Sequence, residues 1–198
     1  VTEFARKNSI LVCHDAAYTE MSFDGYRAPS FLQVPGAKDV AIEFHSLSKT
    51  FNMTGWRIGF AVGNSEAIEG LGAIKSNIDS GVFQAVQMAG IEGLNNYETL
   101  TAEIMPVYAK RRQVMIKGLQ EAGLEVAESK ATFYLWVSVP SGYTSTDFAA
   151  RLLDIGVVVT PGNGFGEPGE GYIRIALTQR LDRLEEAINR IKKLSLNF

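Results

Sequence analysis

Two short apolar runs near the start of the chain each end at a polar residue. Residues 10–14 and 40–45 are nearly continuous in apolar side chains, and they stop at Asp15 and Ser46. Runs of this kind are typical of buried strands in a parallel sheet. Open α/β sheets bind ligands beyond the carboxyl ends of such strands. The pattern therefore predicts a site near Asp15 and Ser46.

A third apolar run, at residues 57–62, predicts another strand in the first half of the chain. Helical spacing begins after it at Ser65, a candidate N-cap. Helices are expected over 65–78, 83–94 and 97–122, the last of them containing Pro106. Three strands are few for a parallel sheet with both faces covered, so we expect further strands from sequence upstream of this chain.

The pattern changes to shorter elements beyond Gly123. Strands are predicted over 124–126, 132–137, 157–160 and 172–177, and helices over 145–155 and 181–194. The predicted fold class is α/β: an incomplete, mainly parallel sheet with helices, followed by a smaller α+β domain. We place the boundary in the long helix, which gives domains over 1–107 and 108–198.

Composition and charge narrow the class of protein. The chain has 198 residues, 46% hydrophobic and 21% charged, as expected of a folded soluble protein. Its net charge is −3, so the chain lacks the excess of basic residues that is typical of nucleic-acid-binding proteins. No apolar run is long enough to span a membrane. One cysteine and no signal-peptide pattern indicate a cytoplasmic protein. Because the chain starts at Val1 in a stretch resembling the end of a helix, we expect a fragment.

Lys49 is the first candidate for chemistry. It follows the second predicted strand, where partial burial and a nearby cation favour the neutral amine that forms a Schiff base with an aldehyde. A single lysine in a turn is more often a surface residue, so its neighbours decide the interpretation. Asp15 and Tyr18 follow the first strand, and Arg57 opens the third.

Together with Ser46 and Ser48, these side chains match the requirements of pyridoxal phosphate. The cofactor needs a lysine for its aldehyde, a carboxylate for its ring nitrogen and a phenol or similar donor for its ring oxygen. Its phosphate needs hydroxyl and guanidinium donors. Each of these groups is common at strand ends for structural reasons alone, so the argument rests on the set.

The set resembles the core of the class I/II aminotransferases, which are fold-type I pyridoxal-phosphate enzymes. The motifs are Asp-Ala-Ala-Tyr at 15–18, Ser-Leu-Ser-Lys at 46–49 and Gly-Trp-Arg-Ile-Gly at 55–59, followed by 132–136, 161–166 and 172–177. Within that family, segments 13–33 and 76–81 are most similar to the LL-diaminopimelate aminotransferases. The resemblance implies part of the large cofactor-binding domain over 1–107 and the C-terminal small domain over 108–198.

The resemblance implies three residues around the cofactor ring. Lys49 would form the Schiff base and then act as general acid and base on the substrate's α proton. Asp15 would pair with the pyridinium nitrogen, and Tyr18 would donate a hydrogen bond to the phenolate oxygen.

Other residues would hold the phosphate and the substrate. Ser46 and Arg57, with Ser48 as a further candidate, would bind the phosphate. Arg174 would bind the substrate's α-carboxylate and orient its α-hydrogen.

The remaining candidates receive structural interpretations. His14 and His45 lack further ligands at metal spacing, so we expect packing or a supporting role and no metal site. Cys13, inside a predicted strand, is expected to be buried and inert. The glycine-rich stretch 161–171 lacks the strand and helix context of a dinucleotide site, and we expect a substrate-side loop.

The implied activity is amino transfer between an amino acid and a 2-oxo acid by a ping-pong mechanism. LL-diaminopimelate or another dicarboxylic amino acid is the expected donor, and a homodimer is the expected assembly of a full-length parent. Two alternatives stay open. The isolated chain could be a non-catalytic fragment, or the parent could be a related pyridoxal-phosphate β-lyase, because Lys49, Asp15 and Arg57 do not determine which substrate bond breaks.

Overall fold

Each half of the chain forms its own sheet in the computed structural model, which describes residues 1–194. Contacts divide the chain into two units, Val1–Ile104 and Met105–Phe198. The division falls inside a long helix, in which the sequence predicts the boundary at residues 107 and 108. The last four residues of the predicted second domain lie outside the described range.

The first unit contains a three-stranded sheet with β2 at its centre. Its strands are β1 (Val12–Asp15), β2 (Ala41–Ser46) and β3 (Gly59–Gly63). As predicted, β1 and β2 are parallel, whereas β3 runs antiparallel to β2. The carboxyl ends of β1 and β2 therefore lie at the same edge of the sheet as the start of β3.

Four helices and one helical turn begin in this half of the chain, and the last of the helices continues into the second unit. They are α1 (Thr2–Lys7), α2 (Leu47–Thr50), α3 (Ser65–Ile78), α4 (Gln84–Asn95) and α5 (Tyr97–Glu121). The bounds of α3 match the prediction, but its N-cap is Asn64 and not Ser65. The Asn64 side chain accepts a hydrogen bond from the Ala67 amide at 2.9 Å and so satisfies one of the unpaired amides at the helix start.

The expectation that Cys13 is buried is wrong. In the described structure β1 pairs only with β2, and its residues alternate between half-buried and exposed. Cys13 and Asp15 lie on the exposed face of the strand, because successive side chains of a strand point to opposite faces.

The second unit contains an antiparallel sheet in the order β4-β6-β5. Its elements are β4 (Tyr134–Ser138), α6 (Ser145–Asp154), β5 (Thr160–Pro161), β6 (Tyr172–Ala176) and α7 (Leu181–Lys192). The strand predicted at 124–126 is reduced to one bridge between Val126 and Val137. Leu119, Leu135, Phe148, Leu152, Ile173 and Leu177 are fully buried and form its core. None of the helices within the described residues has the length and apolar character needed to cross a membrane.

Gly118 tests the packing of α5 against α7. A Cβ at Gly118 would lie 2.5–2.8 Å from the Ile188 side chain, including Cγ2 on its stiff branch. We expect Gly118→Ala to lower the free energy of unfolding by about 1–3 kcal/mol through overpacking. The matched control is Gly70→Ala in α3, where a Cβ meets nothing within 4 Å. It should stabilise the chain by about 0.5–1 kcal/mol. Urea unfolding of both variants measures the two effects, and a Gly118→Ala variant of unchanged stability would contradict the close approach.

Candidate active site

One edge of the first sheet brings together the segments that carry the predicted cofactor residues. Asp15 is the last residue of β1, and Ser46 is the last residue of β2. In the antiparallel register, Ser46 lies opposite Gly59, the first residue of β3. The segments 15–18, 46–49 and 55–59 therefore all leave or enter the sheet at the same edge.

Lys49 lies on α2, a single helical turn that directly follows β2. Leu47 and Phe51, one turn apart, are buried with Met53 in a hydrophobic cluster. This burial anchors one side of the turn, while Lys49 is half-buried. The Nζ atom of Lys49 lies 5.5 Å from the centroid of the Tyr18 ring. The structure thus brings together two of the predicted residues, from different segments.

Asp15 shapes the turn that leads to Tyr18. Its Oδ1 atom accepts a hydrogen bond from the Ala17 amide at 3.2 Å, the local bond typical of an aspartate at a turn. Asp15 is exposed, and its Oδ2 atom has no hydrogen-bond partner among residues 1–194. The carboxylate therefore keeps one oxygen available for a ligand.

The predicted phosphate-binding residues differ in how the fold uses them. Ser46 occupies the N-cap position of α2, but its side chain makes no capping hydrogen bond. Ser48 is buried, and its hydroxyl donates to the Met53 carbonyl at 3.4 Å. This bond gives Ser48 a structural use.

The sequence predicts that Arg57 opens β3. In the structure Arg57 instead precedes the first residue of β3 by two positions. It ends the 3-10 helix Thr54–Trp56 in a left-handed conformation, with φ of 55°. Its Nη1 atom donates to the Thr54 carbonyl at 2.9 Å, and the residue is exposed. Because of this turn, Arg57 takes no part in the pairing of β3 with β2. Apart from Nη1, its guanidinium group lies toward solvent.

Arg174 lies on β6 of the second unit, and two aromatic rings hold its side chain. Its Cζ atom is 4.0 Å from the Tyr134 ring centroid and 4.3 Å from that of Phe165. Phe165 belongs to the glycine-rich stretch expected to form a substrate-side loop. Among the described residues, no carboxylate or carbonyl accepts a hydrogen bond from the Arg174 guanidinium group. Stacking uses the faces of a guanidinium group and leaves its N–H edges for a planar anion.

Sequence reasoning missed Glu43, whose side chain is buried in the first unit with 1% of its surface exposed. Its carboxylate receives hydrogen bonds from His14 Nδ1 at 2.7 Å, His45 Nε2 at 2.8 Å, Ser30 Oγ at 3.0 Å and the Phe31 amide at 2.9 Å. Burial raises the pKa of Glu43, but these bonds outweigh it and hold the pKa below the ordinary value. The available signal was one acidic residue inside an apolar strand.

A polar cleft of about 760 Å³ lies beside the segment that follows Tyr18. Glu20 lines this cleft, and so does Tyr97, the first residue of α5. The Tyr97 hydroxyl donates a hydrogen bond to the Glu20 carboxylate. Burial and the neighbouring Glu20 raise the pKa of Tyr97 to about 12. This bond ties the segment after Tyr18 to α5.

Across the described residues, no three His, Cys, Asp or Glu side chains are grouped so that they could hold a metal ion.

A family model described as aminotransferase class I and II matches residues 1–191 of the chain. The chain therefore belongs to the class I and II aminotransferases. LL-diaminopimelate aminotransferase 2 of Trichormus variabilis is 57% identical over 196 residues, which are 98% of this chain and 50% of that protein.

Solved structures confirm the predicted fold class. The substrate-bound BacF structure from Bacillus subtilis matches all of this chain and 51% of its own, with a TM-score of 0.93 and 36% identity. The probable N-succinyldiaminopimelate aminotransferase from Thermus thermophilus has a TM-score of 0.88 and 38% identity over 96% of this chain and 51% of its own. The chain spans about half the length of the relatives it matches.

The hydrogen bond between Tyr97 and Glu20 predicts that the stability of the fold depends on the ionisation of Tyr97 at alkaline pH. Because burial and Glu20 hold the pKa of Tyr97 near 12, above its unfolded value of 10, the neutral phenol stabilises the fold below pH 10. This stabilisation is lost as the pH rises from about 10 to 12. We expect Glu20→Gln to lower the pKa of Tyr97, measured by tyrosinate absorbance with Tyr97→Phe as the assignment control. An unchanged titration in Glu20→Gln would contradict the contact.

Proposed function

We propose that this chain carries the cofactor lysine and the substrate-binding arginine of an aminotransferase that depends on pyridoxal phosphate, the cofactor of its family. The observation that carries the proposal is the convergence of Asp15, the turn bearing Lys49 and the turn bearing Arg57 on one sheet edge. When bound, pyridoxal phosphate supplies an electron sink for the pair released when the substrate's α C–H bond breaks.

Lys49 is the residue that attaches the cofactor and moves the proton. The buried Leu47 and Phe51 fix the turn that carries Lys49, so the backbone position from which its amine extends is held in place. Its Nζ atom accepts the α proton of the substrate and returns it at the next step. The Nζ atom lies 5.5 Å from the centroid of the Tyr18 ring, so the lysine amine and the phenol proposed for the cofactor's ring oxygen lie close together.

Asp15 supplies a carboxylate for the protonated ring nitrogen. Its Oδ1 is used by the Ala17 amide, which fixes the side-chain orientation, and its Oδ2 remains for the cofactor. A charge-assisted bond of this type keeps the ring nitrogen protonated. Tyr18 is proposed to donate its hydroxyl to the ring oxygen.

The phosphate is assigned to Ser46 and Arg57. The Ser46 hydroxyl has no capping bond to satisfy, and the exposed Arg57 guanidinium uses one nitrogen on Thr54 and keeps the others. Arginine binds phosphate through two parallel N–H bonds. Ser48 is a weaker candidate, because its hydroxyl already donates to the Met53 carbonyl.

Arg174 is assigned to the substrate's α-carboxylate. Tyr134 and Phe165 fix the plane of its guanidinium group, so a carboxylate binding edge-on takes one orientation. The name of the relative from Trichormus variabilis leads us to propose LL-diaminopimelate, or another dicarboxylic amino acid, as amino donor and a 2-oxo acid as acceptor. A homodimer is the proposed assembly.

Covalent labelling tests the assignment of Lys49. The chain is incubated with pyridoxal phosphate, reduced with borohydride and digested, and pyridoxyl-lysine is located by mass spectrometry. We expect label at Lys49, lost in Lys49→Ala and kept in Lys75→Ala, which changes a half-exposed lysine of α3 paired with Asp79. Label spread over surface lysines would contradict a cofactor site in this chain and favour the non-catalytic alternative.

The stacked guanidinium predicts that Arg174→Lys weakens carboxylate binding. Lysine keeps the charge but loses the planar fork, so affinity for 2-oxoglutarate should fall by about 10- to 100-fold, the scale of a charge-assisted hydrogen bond. Calorimetric titration of the cofactor-loaded protein measures this. The control is Arg180→Lys, an exposed arginine paired with Asp182 at 3.1 Å. Loss of Lys49 labelling with unchanged affinity for 2-oxoglutarate would refute the assignment.

A further inference from the structure

The buried carboxylate of Glu43 links three separate segments of the first unit. His14 lies on β1, Glu43 and His45 lie on β2, and Ser30 and Phe31 begin the 3-10 helix that follows the loop after β1. A buried carboxylate is costly unless its oxygens are hydrogen-bonded, and here both of them accept hydrogen bonds. The carboxylate is therefore the point at which these segments are fixed to one another.

The carboxylate also determines which ring nitrogen of each histidine carries hydrogen. An ionised carboxylate only accepts hydrogen bonds, so the atoms that face it, His14 Nδ1 and His45 Nε2, must each be N–H. The two rings therefore donate from opposite nitrogens to the same group. Their orientation is set by Glu43, with additional stacking of His45 on Phe60 at 4.8 Å between centroids.

The network lies directly beside the proposed cofactor residues in the chain. His14 precedes Asp15, and His45 precedes Ser46 and the turn with Lys49. In the register, His14 lies opposite Glu43, and Asp15 lies opposite Phe44. The network thus occupies one face of the sheet, and Asp15 and Ser46 project from the other face at the next position.

We propose that Glu43 is a positioning residue: through His14 and His45 it holds the ends of β1 and β2 so that Asp15 and Lys49 keep their places at the sheet edge. The effect on Lys49 chemistry rests on the proposed function, whereas the effect on the strand ends does not. Backbone bonds such as Ala16 N to Phe44 O at 2.9 Å and Leu47 N to Ile58 O at 3.3 Å close this edge. Glu43 restrains the edge from within the sheet.

A purely stabilising role explains this arrangement poorly. Replacing a buried ionic cluster by well-packed apolar residues is often neutral or stabilising, so a buried charge adds little net stability. Its hydrogen bonds instead specify geometry, because both imidazoles and a hydroxyl must meet it at fixed angles. The first test is therefore local and geometric.

Amide hydrogen exchange at Ala16 and Leu47, followed by NMR, measures the strand ends directly. In Glu43→Gln the side-chain NH2 group of the glutamine faces one of the groups that donate to Glu43, so one hydrogen bond is lost. Exchange at the Ala16 and Leu47 amides should therefore rise by about tenfold or more, the scale of one lost hydrogen bond to a charged group. Exchange in α4 should stay unchanged. The control is Glu186→Gln in α7, because the Glu186 Oε1 atom accepts a hydrogen bond from Arg190 Nε at 2.9 Å, which a glutamine oxygen can replace. Unchanged exchange at Ala16 and Leu47 in folded Glu43→Gln would overturn the proposal.

Paired histidine variants keep the test decisive if Glu43→Gln does not fold. An asparagine amide can replace an Nδ1–H donor and a glutamine amide an Nε2–H donor. His14→Asn and His45→Gln should therefore preserve slow exchange, whereas His14→Gln and His45→Asn should accelerate it. Equal exchange within both pairs would overturn the proposal, since a simple packing role does not distinguish the donor position.

Labelling of Lys49 separates this inference from the proposed function. If the unaltered chain is labelled at Lys49, the labelling rate should fall in Glu43→Gln and stay unchanged in Glu186→Gln. Equal rates in Glu43→Gln and the unaltered chain would overturn the link to Lys49. If the unaltered chain is not labelled, the proposed function fails, and the exchange data still decide whether Glu43 positions the strand ends.

Discussion

The register of β2 against its two neighbours is the constraint on which the candidate site depends. Side chains alternate along a strand, so a slip of one residue would move Asp15 and Ser46 to the opposite face. Two glycines of β3 enforce the pairing. A Cβ at Gly59 would lie 2.5 Å from the His45 carbonyl oxygen, and one at Gly63 would lie 2.3 Å from that of Ala41. The close approach of β3 is therefore open only to glycine at these points.

Packing away from the sheet edge then sets the place of Lys49. The α2 turn is too short to be stable as an isolated helix, so its shape depends on the burial of Leu47 and Phe51. Helix α4 approaches closely there, because a Cβ at Gly93 would lie 3.0 Å from the Phe51 ring and one at Gly90 would lie 3.1 Å from Leu47. The lysine proposed to hold the cofactor is thus positioned by residues that have no proposed role in the chemistry.

Long periodic segments and short motifs were predictable from the sequence, while pairings between distant residues were not. The bounds of α3 follow from helical spacing alone, and the resemblance supplied Lys49 and Arg174 as candidates. Helical spacing does not reveal a four-residue turn such as α2, and apolar runs do not encode strand direction, so the antiparallel β3 was not predicted. The bonds of Glu43 to His14 and Ser30 join positions 29 and 13 residues apart, and only the folded register brings them together.

Glu43 and Arg174 are both charged and at least partly buried, but one is held by hydrogen bonds and the other by stacking. This difference indicates their roles. Glu43 uses both oxygens on donors of its own unit, so it has little left to offer a ligand and acts on its surroundings. Arg174 is held by the faces of Tyr134 and Phe165, and its N–H edges meet no acceptor among the described residues. A stacked guanidinium is oriented without consuming its hydrogen bonds. A charge whose bonds are complete fixes structure, whereas a charge that is oriented but lacks a counter-ion is suited to bind a ligand carboxylate.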